Sequence, residues 1–186
     1  MKSGKTLVIL GLLLVAARSQ AASAWPGDYW ELGARYGGAI TDNSFSIDGE
    51  VEVLSLLRTL GPERAIELEL GADQLDFGIG FGLEHQSAAV NYLVLNREPL
   101  WDPYVLFGVG VIRFEAPRYS PDRRGTDAMA QFAVGGSWEL VAPKRLLLRA
   151  EARIRYDFND SGQPGQDGFG DAIITLGLSM PFAGAR

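Results

Sequence analysis

Arginines and carboxylates recur at every second position in one stretch of this chain: Arg149, Glu151, Arg153 and Arg155, with Asp157 beyond them. Residues two apart share one face of a β-strand. Such a run can hold guanidinium and carboxylate groups in contact, or pass a proton or small cation along a line of them. Glu31 and Arg35, and then Glu67, Glu69 and Asp73, carry complementary charges at compatible spacing. If Glu31, Arg35, Glu67, Glu69, Asp73, Arg149, Glu151, Arg153 and Arg155 face one interior they must pair, because an unpaired buried charge is strongly destabilising. A structural ion-pair core is the simplest use of such a set, and a gated ion path is the functional alternative.

A second constellation is His85, the only histidine, with Ser87 two residues on. A histidine, a serine and a nearby carboxylate are the parts of a hydrolase. The flanking alternation of Val90 and Tyr92 puts His85 and Ser87 on the polar face of their strand, with Ala89 and Asn91. Metal chemistry has less support, since one His without Cys leaves only carboxylates. Asp122, Asp127, Asp160, Asp167 and Asp171 fall in polar links where Ca²⁺ is conceivable. No metal or cofactor is expected.

The elements that must position these groups are strands. From Arg145 to Phe158, the residues Leu146, Leu148, Ala150, Ala152, Ile154, Tyr156 and Phe158 alternate with the charges. On a tilted strand their apolar face covers the height of an outer-membrane barrel's lipid band, about 25 Å. An Arg facing lipid near the bilayer midplane costs about 2–4 kcal/mol, so the arginines look inward. The same alternation appears over 30–36, 65–73, 87–94, 130–139 and 171–182, with Ile174, Leu176, Leu178, Met180 and Phe182 apolar in the last. Over 49–57 the reading sets Val51, Val53 and Leu57 on the lipid side against Glu50 and Glu52. Over 102–112 both faces are apolar, and Gly108 and Gly110 would leave room for long interior side chains.

Eight strands close without an edge. The links over 116–127 and 159–170 are long and polar and that over 141–144 is short, as extracellular loops and periplasmic turns alternate. Trp30, Trp101, Tyr104, Trp138, Tyr156 and Phe182 fall near strand ends, where aromatic girdles sit. Lys2 and Lys5, an apolar run from Leu7 to Ala17, and Ala22-Ser23-Ala24 read as a cleaved signal peptide over 1–24, leaving 25–186 as the barrel. Removing Lys2, Lys5 and Arg18 with it leaves 14 of the 17 basic residues against 23 acidic ones, a formal charge of −9. That balance argues against nucleic acid as a partner. Zero cysteines exclude a disulfide scaffold and thiolate metal sites.

The chain resembles the OmpA-like eight-stranded outer-membrane β-barrel family. The resemblance rests on Trp30-Glu31-Leu32-Gly33-Ala34-Arg35, the Pro-Tyr-Val-x-x-Gly-Val-Gly run at 103–110, Leu148-Arg149-Ala150-Glu151-Ala152-Arg153, and the final strand. Thr175, Gly177, Met180 and Phe182 look like the signal read by the barrel-assembly machinery, although Ala183 to Arg186 follow it. The resemblance covers the barrel only, with no peptidoglycan-binding domain. It implies an all-β, eight-stranded antiparallel up-and-down transmembrane barrel in the cell outer membrane, a monomer among outer-membrane lipid and lipopolysaccharide, whose phosphates Arg118, Arg123 and Arg124 could contact. The expected role is non-enzymatic, envelope-structural or surface-interacting, with a porin-like lumen that at most conducts small ions. Two alternatives stay open. One is a lipid A-modifying hydrolase using His85 and Ser87. Such deacylases carry a cue resembling Arg-Tyr-x-His-x-Ser-Asn, where this chain reads Arg155-Tyr156-Asp157-Phe158-Asn159. The other is a periplasmic lipocalin-like carrier with its apolar face inward.

Overall fold

The computed structural model describes residues 29–41, 49–76, 82–96, 101–115, 124–141, 146–158 and 168–183. The signal-peptide reading, Arg118, Arg123, Asp122, Asp160 and Asp167 lie outside them. Eight strands follow one another: β1 (Tyr29–Thr41), β2 (Gly49–Thr59), β3 (Arg64–Asp76), β4 (Gly82–Leu95), β5 (Trp101–Glu115), β6 (Arg124–Val141), β7 (Leu146–Asp157) and β8 (Phe169–Ala183). Each pairs antiparallel with the next, and β8 pairs with β1, so the sheet is a closed up-and-down barrel.

The register fixes its shape. Trp30 pairs with Arg58, Arg58 with Ile66, and the row continues through Tyr92, Phe107, Phe132, Ile154 and Ala172 to Ile40. One circuit therefore returns to β1 ten residues from its start, a stagger that tilts eight strands by about 40°.

Alternation sorts the side chains as amphipathic strands require. Leu68, Leu70, Val109, Ile154, Ile174 and Leu176 are more than half exposed on the outer wall, while Arg149 and Glu67 inside are essentially inaccessible. Toward the end where β1 begins, Leu57, Ala65, Leu93, Leu95, Tyr104, Leu106 and Ala133 form an apolar cluster inside the wall. The space between that cluster, Glu31 and Arg149 is about 10 Å³, room for no more than one water.

β2 is turned over relative to the sequence reading. Arg35 pairs with Val53 and Glu31 with Leu57, and paired residues of an antiparallel sheet point to the same side. With Arg35 and Glu31 inside, Val51, Val53 and Leu57 are inside too, and Leu54, Leu56, Glu50 and Glu52 face outward. β6 starts at Arg124, so Arg124 and Asp127 belong to a strand rather than to a loop. Of the expected girdle residues Tyr104 is buried in the lumen, whereas Trp101 and Trp138 stack outside with ring centroids 5.5 Å apart.

The β1–β8 seam depends on two glycines. A Cβ on Gly37 would lie 1.8 Å from the Ile174 carbonyl oxygen, and one on Gly177 would lie 2.0 Å from that of Ala34. Backbone cannot yield as a side-chain tip can. Gly177→Val is expected to cut the yield of heat-modifiable folded barrel severalfold on refolding into detergent, while Thr175→Val changes it little. Gly108 leaves room for Asn91 and Gln131, as its spacing suggests, but Gly110 admits the β4 backbone at Ala88 and Ala89 instead of a long side chain.

Candidate functional site: an ion-paired lumen

Strand β7 supplies Arg149, Glu151 and Arg153 to the lumen, β3 supplies Glu67 and Glu69, and β1 supplies Arg35. These three arginines and three glutamates balance in charge and form a closed alternation. Arg149 grips Glu67 with two nitrogens, Nη1–Oε1 at 2.6 Å and Nη2–Oε2 at 3.1 Å. Arg35 Nη1 lies 3.3 Å from Glu67 Oε1, and its Nη2 donates to Glu69 Oε2 at 2.7 Å. Arg153 binds both oxygens of Glu69, one of them through Nη2 at 2.6 Å, and donates from Nε to Glu151 Oε1 at 3.0 Å. Glu151 closes the circuit, 3.4 Å from both Arg149 and Arg35.

β3 and β7 stand on opposite sides of the barrel, so this network braces the lumen across its width. Neutral partners complete it. The Tyr104 hydroxyl donates to Glu151 Oε2 at 2.8 Å and accepts from Arg149 Nε at 2.7 Å, with the guanidinium 4.7 Å over its ring. Gln131 donates to Asn91 Oδ1 at 2.6 Å and accepts from Arg153 at 2.9 Å. Charge-assisted, bidentate hydrogen bonds of this kind offset the desolvation of buried ions only when nearly every donor and acceptor is used.

A second cluster sits nearer the long links. Arg155 Nη1 is 2.5 Å from Asp73 Oδ2, and Arg155 Nη2 is 2.8 Å from Asp171 Oδ2. His85 Nδ1 lies 3.5 Å from Arg155 and 3.8 Å from Asp73.

All nine residues singled out by alternation are buried on the inner side. Alternation puts Asn91 and Gln131 on the inner faces of their strands without singling them out as partners of the charges, and it missed Tyr104 and Asp171. Asp171, expected in a polar link as a candidate Ca²⁺ ligand, is instead a lumen residue of β8 bound to Arg155. Its place two residues before Ile173 and four before Thr175, on the same strand face, was the available signal. Among the described residues no group of three or more His, Cys, Asp or Glu side chains is arranged to hold a metal ion. His85 is buried and held by Arg155 and Asp73, and Ser87 Oγ sits over Gly71, 2.4 Å from where a Cβ would be. Both therefore face away from any lipid substrate outside the wall.

No family model and no curated protein matches the chain. Among solved structures it is similar to Neisserial surface protein A (NspA), with TM-score 0.66 and 13% identity over 88% of this chain and 100% of that one. It is also similar to the outer membrane enzyme PagL, with TM-score 0.52 and 15% identity over 82% of this chain and 99% of that one. Ail, the attachment invasion locus protein of Yersinia pestis, gives TM-score 0.51 and 13% identity over 85% and 100% of the two chains. At these identities the likeness is one of fold, and the fold hosts an enzyme as well as surface proteins.

Proposed function

We propose that this chain is an integral outer-membrane barrel, exported by cleavage of residues 1–24, with an ion-paired lumen that at most conducts small ions and a non-enzymatic role in the envelope or at its surface. The observation that carries the reading is the inversion of faces. Large apolar side chains ring the exterior while three arginines and three glutamates fill the interior. A soluble protein would pay heavily in solubility for such an exterior, whereas lipid requires it. The same inversion opposes a lipocalin-like carrier, whose ligand cavity would be apolar and open. Lipid and lipopolysaccharide are the partners such an exterior fits, and Thr175, Gly177, Met180 and Phe182, all on β8, fit recognition by the assembly machinery.

The deciding experiment is cell fractionation followed by denaturing electrophoresis with and without boiling. A heat-dependent mobility shift in the outer-membrane fraction is expected; an unshifted band in the soluble periplasm would sink the proposal. The non-enzymatic part has its own check. Membranes overproducing wild type and His85→Ala are expected to contain identically acylated lipid A by mass spectrometry, and deacylation seen with wild type alone would make the hydrolase reading correct.

A further inference from the structure

The outward apolar stripe is unequal around the barrel. On β7 it runs from Leu146 through Ile154 and Tyr156 to Phe158, about 30 Å on a strand tilted by about 40°. On β2 it consists of Leu56 and Leu54 alone, bounded by Arg58 on one side and by Glu52 and Glu50 on the other, a span of about 15 Å by the same geometry. Arg58 is accommodated, since its guanidinium lies 5.3 Å over the Trp30 ring at the rim where β1 begins. The glutamates face outward, Glu50 exposed and Glu52 half-buried.

Their height follows from the register. Arg58 and Ile154 share one row, five strands apart. The row climbs ten residues over eight strands, so Ile154 stands about six residues' rise above Arg58. Glu52 is also six residues above Arg58, along β2. Glu52 and Ile154 therefore share one height on different walls, as do Glu50 and Tyr156. Ile154 is 62% exposed, as a lipid-facing residue should be. The polar edge continues beyond β2 through exposed Gln74, Gln86 and Arg113, and it is lowest at Glu52.

We infer that the barrel draws the headgroup layer of the outer leaflet down over β2, so that the hydrocarbon ends at Glu52 on this wall and about 10 Å higher, near Phe158, on β7. This rests on the membrane reading above. Carboxylates facing hydrocarbon are disfavoured, and local thinning of the bilayer relieves them at modest cost. The partner of this wall is the polar layer of a lipid surface, whose hydroxyl, ammonium and water donors reach Glu50 and Glu52. Beside and below the glutamates, from β1 to β5, the outer wall has a recess of about 660 Å³ between side chains that include Leu54, Leu68 and Leu70, which gives bent acyl chains a place to lie.

The cysteine-free sequence permits a direct test. Ala72 and Ala172 are both exposed on the outer wall. Ala172 lies five strands along the row from Ile66, and Ala72 is six residues above Ile66, so the two share a height. Spin labels on Ala72→Cys and Ala172→Cys would be compared in phosphatidylcholine vesicles for collision with oxygen and with a water-soluble nickel chelate. The label at 72 is expected to meet the chelate severalfold more often than that at 172, and Glu50→Leu with Glu52→Leu should abolish the difference. Equal burial of both labels in hydrocarbon overturns the inference and leaves the membrane barrel intact. Shielding of 72 from both probes means a protein contact there, and a contrast that survives the double leucine variant removes the glutamates as its cause; either overturns the inference. Full chelate access at both positions would instead defeat the membrane reading itself.

Discussion

Arg153→Leu is expected to lower the stability of the folded barrel by about 3–5 kcal/mol, the usual cost of removing one partner from a buried ion network. Arg153 holds Glu69 with two nitrogens and Glu151 with Nε and Nη2, at 3.0 and 2.5 Å. Leucine leaves both carboxylates buried with one cation fewer. Urea unfolding in detergent micelles reads the effect as a shift in midpoint. The double variant Arg153→Leu with Glu69→Leu should recover part of the loss, because it removes a charge of each sign and leaves Arg35 and Arg149 facing Glu67 and Glu151. An unchanged midpoint for the single variant would show that the network does not carry the load assigned to it.

Leu176→Arg has the second large effect, and its sign distinguishes solvents. Leu176 is 55% exposed at mid-height on the outer face of β8. In lipid an arginine there costs about 2–4 kcal/mol, enough to reduce insertion and the amount of heat-modifiable protein in the outer membrane. In water the same change would be neutral or would raise solubility. Equal folding yields of wild type and Leu176→Arg in vesicles would place this face in water.

Much of this was legible in single strands. In β3 and β7 the face that carries the charges opposes an apolar one, so Glu67, Glu69, Arg149, Glu151 and Arg153 could be assigned to one interior from alternation alone. His85 and Ser87 were placed inward for the same reason. The strands that resisted were those with mixed or apolar faces. In β5 nothing in the alternation distinguishes Tyr104 from Val105, yet one joins Glu151 in the lumen and the other faces out.

The sequence by itself determined that the chain is a set of amphipathic strands, sufficient in number to close, whose charged residues must meet inside. That follows because the two-residue period of a strand writes its two faces into the order of residues. Tertiary structure alone decided which face of β2 is inner, because the decision belongs to the pairing of Arg35 with Val53 and not to β2. It also decided that Asp171 answers Arg155, and that Arg149 crosses the lumen to Glu67, 82 residues away in sequence. Partners across a barrel are set by strand count and stagger together, and the ten-residue stagger is a property of all eight pairings at once.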